Sequence, residues 1–160
     1  MLYSLLIGAL AGARSMTPLA AVSLAARGDR LPAGGALPML LAHPAAVGGS
    51  LAIAAGELAG DKLPSAPDRI VLAGMAARLA TGAIAGAALA PKNKRTAGAL
   101  VGAVAAIVAA YPTFHARVRA MRHFGQTATG LVEDAAVVGL SHWVVNAANR
   151  DAQKQQLRTA

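Results

Sequence analysis

The chain contains no cysteine, which excludes a disulfide framework, thiolate metal sites and a cysteine nucleophile. Aromatic residues supply 3% and charged residues 14% of the 160 positions, whereas charge in a water-soluble domain usually approaches roughly a quarter. Acidic side chains are scarce, 7 against 15 Lys and Arg, and the formal net charge is +8. In their place stand 42 Ala and 17 Gly in a chain that is 56% hydrophobic. So few bulky side chains cannot fill a conventional aqueous core of this size, whereas small ones suit helices that approach closely in lipid. The basic residues fall mostly in short clusters between apolar runs, as in membrane loops rather than on a nucleic-acid surface.

Cutting the chain at its charges predicts an all-α, polytopic transmembrane bundle of about five spans. Residues 37–60 and 96–116 are long apolar runs, and 2–26, 70–90 and 128–149 are similar but interrupted by Arg14, Arg78 and the Glu133-Asp134 pair. A polar tail over 150–160 follows. Each ionisable group at a helix centre costs about 2.5–3.5 kcal/mol in lipid, so these groups are expected to face one another or water. The N-terminal run imitates a signal peptide but lacks a basic leader region and continues into apolar sequence. Pro18, with Ser15 and Thr17 before it, predicts a kinked, broken or re-entrant first segment. Pro38, Pro44 and Gly48-Gly49 make the second irregular at its start.

Four spans carry a GxxxG pair: Gly8/Gly12, Gly56/Gly60, Gly82/Gly86 and Gly98/Gly102, the second extended backwards through Ala52 and Gly48. Spacing of four places each pair on one helix face, where backbones can meet closely. Aligning Arg14 with Arg78 also superposes Thr17 on Thr81, the trace of an internal duplication.

Glu57 and Asp61 share a helix face beside Gly56 and Gly60, and Pro64, Pro67 and Asp68 read as a capped turn into the next helix. Asp134, Ser141, Val145 and Asn149 recur at helical spacing, a stripe expected to face inward. Against the four carboxylates of Glu57, Asp61, Glu133 and Asp134, the spans offer only Arg14 and Arg78, an apparent deficit that protons, a cation or Lys62 would balance. The clusters Lys92-Lys94-Arg95 and Arg117-Arg119-Arg122 are expected at the level of lipid phosphates or in solvated loops.

His43, His115, His123 and His142 have no metal-ligand spacing, and there is no P-loop, GxSxG or dinucleotide fingerprint. No metal, no cofactor and no catalytic activity are therefore expected, and no nucleic-acid partner.

Arg14 with Pro18, GELAGDKLPSAPDRI at 56–70 and the stretch from Arg78 to Gly82 resemble a family of small bacterial polytopic membrane proteins known only as a domain of unknown function. The resemblance covers most of residues 8–90, with Asp61-Lys62-Leu63-Pro64 its most specific element. It implies no activity but raises the interest of Arg14, Glu57, Asp61 and Arg78. Two functions are then in competition, and a third, a lipid-modifying enzyme using the acidic pair as general base, is disfavoured because no nucleophile or metal set accompanies it. One is a small transporter or channel of the bacterial inner membrane, in which Arg14, Ser15, Thr17, Glu57, Asp61, Arg78, Glu133 and Asp134 bind or couple an ion or solute. The other is a scaffold or lipid-organising protein whose charges are structural ion pairs. The charge bias favours a cytoplasmic C-terminus and an N-terminus on the opposite side. The small-residue faces favour a homodimer.

Overall fold

The structure, a computed structural model, describes residues 1–60 and 72–159, and every regular element within them is helical. Helices α1 (Leu2–Ala13) and α2 (Met16–Arg27) share the first apolar segment; α3 (Ala36–Ala42) and α4 (Pro44–Gly60) share the second. Helices α5 (Leu72–Ala88), α6 (Arg95–Phe124) and α7 (Gln126–Thr159) follow, with a short 3-10 turn, Lys92–Lys94, ahead of α6. Among the described residues one helical stretch, Lys92–Phe124, is by itself long and apolar enough to cross a membrane; α3 and α4 qualify together but are bent by 63° at His43. The all-α class is as expected, and the first expected span is broken into two helices; of the expected spans, the Lys92–Phe124 stretch among the described residues meets the length and hydropathy of a crossing by itself.

The core is a three-helix junction of α1, α5 and α6 built on small residues. A methyl group on Gly8 would lie 2.7 Å from the Cα of Gly102, one on Gly82 would lie 2.8 Å from the Gly102 carbonyl oxygen, and one on Gly86 would lie 2.9 Å from the Gly102 Cα. Gly12 sits equally close to Ala109 and Ala110 on α6. Ser4 extends the α1 ridge one turn further and donates from its hydroxyl to the carbonyl of Gly86 at 2.9 Å. Three of the four glycine pairs thus hold helices within the chain. The fourth does not: nothing among the described residues lies within 4 Å of a methyl placed on Gly48, Gly56 or Gly60. Close packing through Gly82 and Gly86 is internal to the chain, so these two residues are not free for an interface between copies.

These pairings fix the directions. Helix α6 runs parallel to α1, because Gly8 meets Gly102 and Gly12 meets Ala109, and α5 runs antiparallel to both. Helix α2 turns back beside α1. Ile7 of α1, with Tyr3 and Leu6 packed nearby, and the end of α2, Val22 to Ala26, share a cluster with Ala88 at the end of α5, Leu89 just after it, and Val144 to Ala148 of α7. Arg95, which opens α6, donates to the carbonyls of Ala33 and Gly34 just beyond α2, at 3.1 and 2.9 Å. The first segment is therefore a helical hairpin whose two ends lie at one end of the bundle and whose tip is Arg14-Ser15. Pro18 does not kink a helix. It occupies the first turn of α2, where its missing N–H has no helical acceptor to lose.

The start of α1 lies beside the later part of α7: the Tyr3 hydroxyl donates to the Asp151 carboxylate. Helix α7 continues through the polar tail to Thr159. Gly125, at φ 79°, supplies the left-handed residue that lets α6 turn directly into α7.

Candidate functional site

Three guanidinium groups and three carboxylates gather around the hairpin tip. Arg14 leaves the end of α1 in an extended conformation, and its side chain is fully buried. It forms an ion pair with Asp134 of α7, has Glu133 at 3.8 Å, and donates to the backbone carbonyl of Glu57 at 3.4 Å. Glu133 is also paired with Arg117 of α6, which is 8% exposed. Arg117 was expected among loop cations at the membrane surface; the structure instead turns it inward. With it, the charge deficit counted from the sequence disappears among the described residues: Arg14, Arg78 and Arg117 face Glu57, Glu133 and Asp134. Asp61, Lys62 and the capped turn of Pro64, Pro67 and Asp68 lie outside the described residues.

The other two members serve the broken backbone. A hairpin tip buried in a bundle exposes the last carbonyls of one helix and the first N–H groups of the next, each costly without a partner. Arg78 of α5 donates from Nε to the Gly12 carbonyl at 2.9 Å, closing the end of α1, and from Nη1 to Gly74 at 3.0 Å. Glu57 of α4 closes the start of α2: Oε1 accepts from the Ser15 N–H and hydroxyl, and Oε2 accepts from the Met16 N–H at 3.0 Å. A carboxylate there also meets the positive end of the α2 dipole. Glu57 was expected to pair with an arginine; its carboxylate hydrogen bonds go to a helix terminus instead. Arg14 and Arg78, aligned as a repeat in sequence, differ in context, one at a chain break and the other inside a helix.

The inward stripe of α7 holds as expected for Asp134, Ser141 and Val145, with exposures of 9%, 0% and 3%, and Asn149 is half-buried. His142 is exposed and bonds locally to Val138. On the facing helices α2 and α7, the hydroxyls of Thr17, Ser23 and Ser141 are buried without a hydrogen-bond partner among the described residues. Buried hydroxyls of this kind are satisfied by ordered water. Thr81, by contrast, bonds back to the carbonyl of Ala77 at 2.9 Å. Among the described residues, no three His, Asp or Glu side chains group so as to hold a metal ion.

Sequence reading missed Arg117 and Ser4. Ser4 could have been found, since Ser4, Gly8 and Gly12 form one small-residue ridge at a spacing of four; Arg117 could not, because only the fold brings it against Glu133. The chain matches no protein-family model, no curated protein and no solved structure.

Proposed function

We propose that this is a noncatalytic, multi-pass protein of a bacterial inner membrane, and that it conducts or transports a small ion or solute past the tip of the re-entrant hairpin. Membrane residence is supported first by α6, whose most apolar window is only 22% buried within the molecule. A core helix of a soluble protein would be covered; this one turns Leu100, Val104 and Val108 outward. The bent α3–α4 pair, α5, α6 and α7 then serve as crossings, with α1–α2 entering from one side only. The resemblance of residues 8–90 to small bacterial membrane proteins points the same way.

The single observation that carries transport is the buried Arg14 at a helix break, ion-paired with Asp134 of α7, a helix that with α2 also buries hydroxyls lacking a hydrogen-bond partner among the described residues. Broken helices that leave polar groups at depth are how transporters build binding sites, and intramembrane charges line ion and proton paths. In this reading the Arg14–Asp134 pair closes the path, and protonation of the acid or arrival of an anion on the arginine would release it. Proteoliposomes test it: wild-type protein should pass protons or a small ion faster than empty vesicles, and Asp134→Asn should change that flux. Absence of flux across a broad ion and metabolite panel would remove the proposal.

A second reading, a scaffold or lipid-organising protein, is favoured by the balance of the cluster, whose six groups neutralise one another and cap helix ends. Self-association accompanies either reading, with a homodimer the simplest form. Its seam would be the exposed ridge of Gly48, Ala52 and Gly56 on α4, whose glycines have no neighbour within 4 Å of an added methyl among the described residues.

A further inference from the structure

The outer face of α6 carries a charged feature separate from the buried cluster. Gly98, Gly102, Ala106 and Ala110 form the row that α6 turns into the bundle. The opposite row exposes Leu100, Val104, Val108 and Tyr111, and by helical spacing it continues into His115, Arg119 and Arg122, all exposed. Although Arg117 turns in toward Glu133, Arg119 and Arg122 are exposed and form no ion pair with an acid among the described residues. Where the apolar row becomes basic, Pro112, His115, Ala116, Val118, Arg119 and Arg122 line an open recess of about 520 Å³.

The geometry points to a binding site for the headgroup of an anionic phospholipid in this recess. From Leu100 to Tyr111 the row rises about 16 Å, close to half of a hydrocarbon layer of roughly 30 Å. Acyl chains lying along it would bring the phosphate to the level of His115 and the two arginines. Tyr111 stands at the junction, where an amphipathic ring prefers the interface. Two cations without acidic partners favour a headgroup with net negative charge over a zwitterionic one, whose own ammonium competes for the phosphate. An acidic protein segment would match the arginines but leave the apolar row uncovered. The inference rests on the membrane reading above and adds which lipid the protein holds, and where.

Full-length protein in nanodiscs of equal phosphatidylglycerol and phosphatidylcholine tests it, with retained lipid counted by native mass spectrometry. Wild type should retain phosphatidylglycerol in excess, and R119Q/R122Q should lose that preference by about ten-fold or more. R119K/R122K, which keeps both charges, should retain most of it. K92Q/K94Q, altered at the opposite end of α6, should match wild type. Equal retention by R119Q/R122Q and wild type, or a preference lost only in K92Q/K94Q, would overturn the site. An integral protein without any lipid preference would overturn the site and leave the membrane reading standing, whereas release from membranes by alkaline carbonate would overturn both.

Discussion

The carboxylate of Glu57 holds Ser15 twice, accepting from its backbone N–H at 2.9 Å and from its hydroxyl at 3.1 Å. A side chain from α4 thereby performs the capping that Ser15, the residue before α2, does not, since the Ser15 hydroxyl makes no cap bond to that helix.

Glu57→Gln is therefore expected to destabilise the fold. The amide oxygen can still accept from Ser15, but the amide nitrogen would face the Met16 N–H as a second donor, and the charge opposing the α2 dipole is lost. A cost of about 1–3 kcal/mol is expected, since a buried donor is left unmatched. Thermal unfolding in detergent measures it. Adding Arg14→Gln should deepen the loss, because Arg14 pairs with Asp134 and touches Glu57 only at its backbone.

Rescue is expected instead between Arg14 and Asp134. Removing one charge strands the other in the bundle, at a cost of about 3–5 kcal/mol, while removing both avoids that penalty. Arg14→Gln and Asp134→Asn should each be strongly destabilised, and the double variant should be more stable than either single variant. A double-mutant cycle in the same assay would show the coupling, and strict additivity would refute the pairing.

How far the sequence foretells this site can be judged from the same residues. Arg14, Glu57, Glu133 and Asp134 stand out because a charge inside an apolar run needs a reason, and the structure brings all four together. Their pairing was not legible. Whether Glu57 meets an arginine or a helix terminus depends on where the backbone breaks, and Pro18 suggested a kink four residues after the actual break. The fold-back of α1 and α2 was foreseeable only as one alternative to a continuous helix, because hydropathy records apolar length and not direction. Arg117 was misread because it sits one position from Val118 and two from Arg119 on a helix whose faces differ in fate. The glycine pairs were legible as close-packing signals, but not which partner each would meet.

That difference among glycines predicts opposite effects for one substitution. In Gly102→Ala the new methyl would lie 3.0 Å from the Gly86 Cα and closer still to the Gly82 carbonyl, both backbone atoms that cannot swing aside. Loss of stability of about 1–3 kcal/mol, by overpacking, is expected. Gly56→Ala meets no atom within 4 Å and gains helix propensity, so the monomer should be unchanged or more stable by up to about 1 kcal/mol. If Gly56 lies at a dimer seam, only the dimer fraction in native mass spectrometry should fall.

The last prediction follows from the contact between Tyr3 and Asp151, which ties the start of α1 to the far part of α7. In the multi-pass reading proposed above, a hairpin that enters and leaves at one end would contribute no crossing, and the four remaining passages would return the chain to its starting side. Reporter fusions at the N- and C-termini should then report the same compartment. That end of the bundle also gathers Arg27, Arg30, Lys92, Lys94, Arg95, Arg150, Lys154 and Arg158, whereas the described part of the opposite end offers Arg119 and Arg122 once Arg117 is paired with Glu133. Excess Lys and Arg near span ends is retained in the cytoplasm, so both reporters should be cytoplasmic. Termini in different compartments would mean that α1 and α2 together cross the bilayer, and Tyr3→Phe should then leave stability untouched because the Asp151 contact would not exist in the membrane.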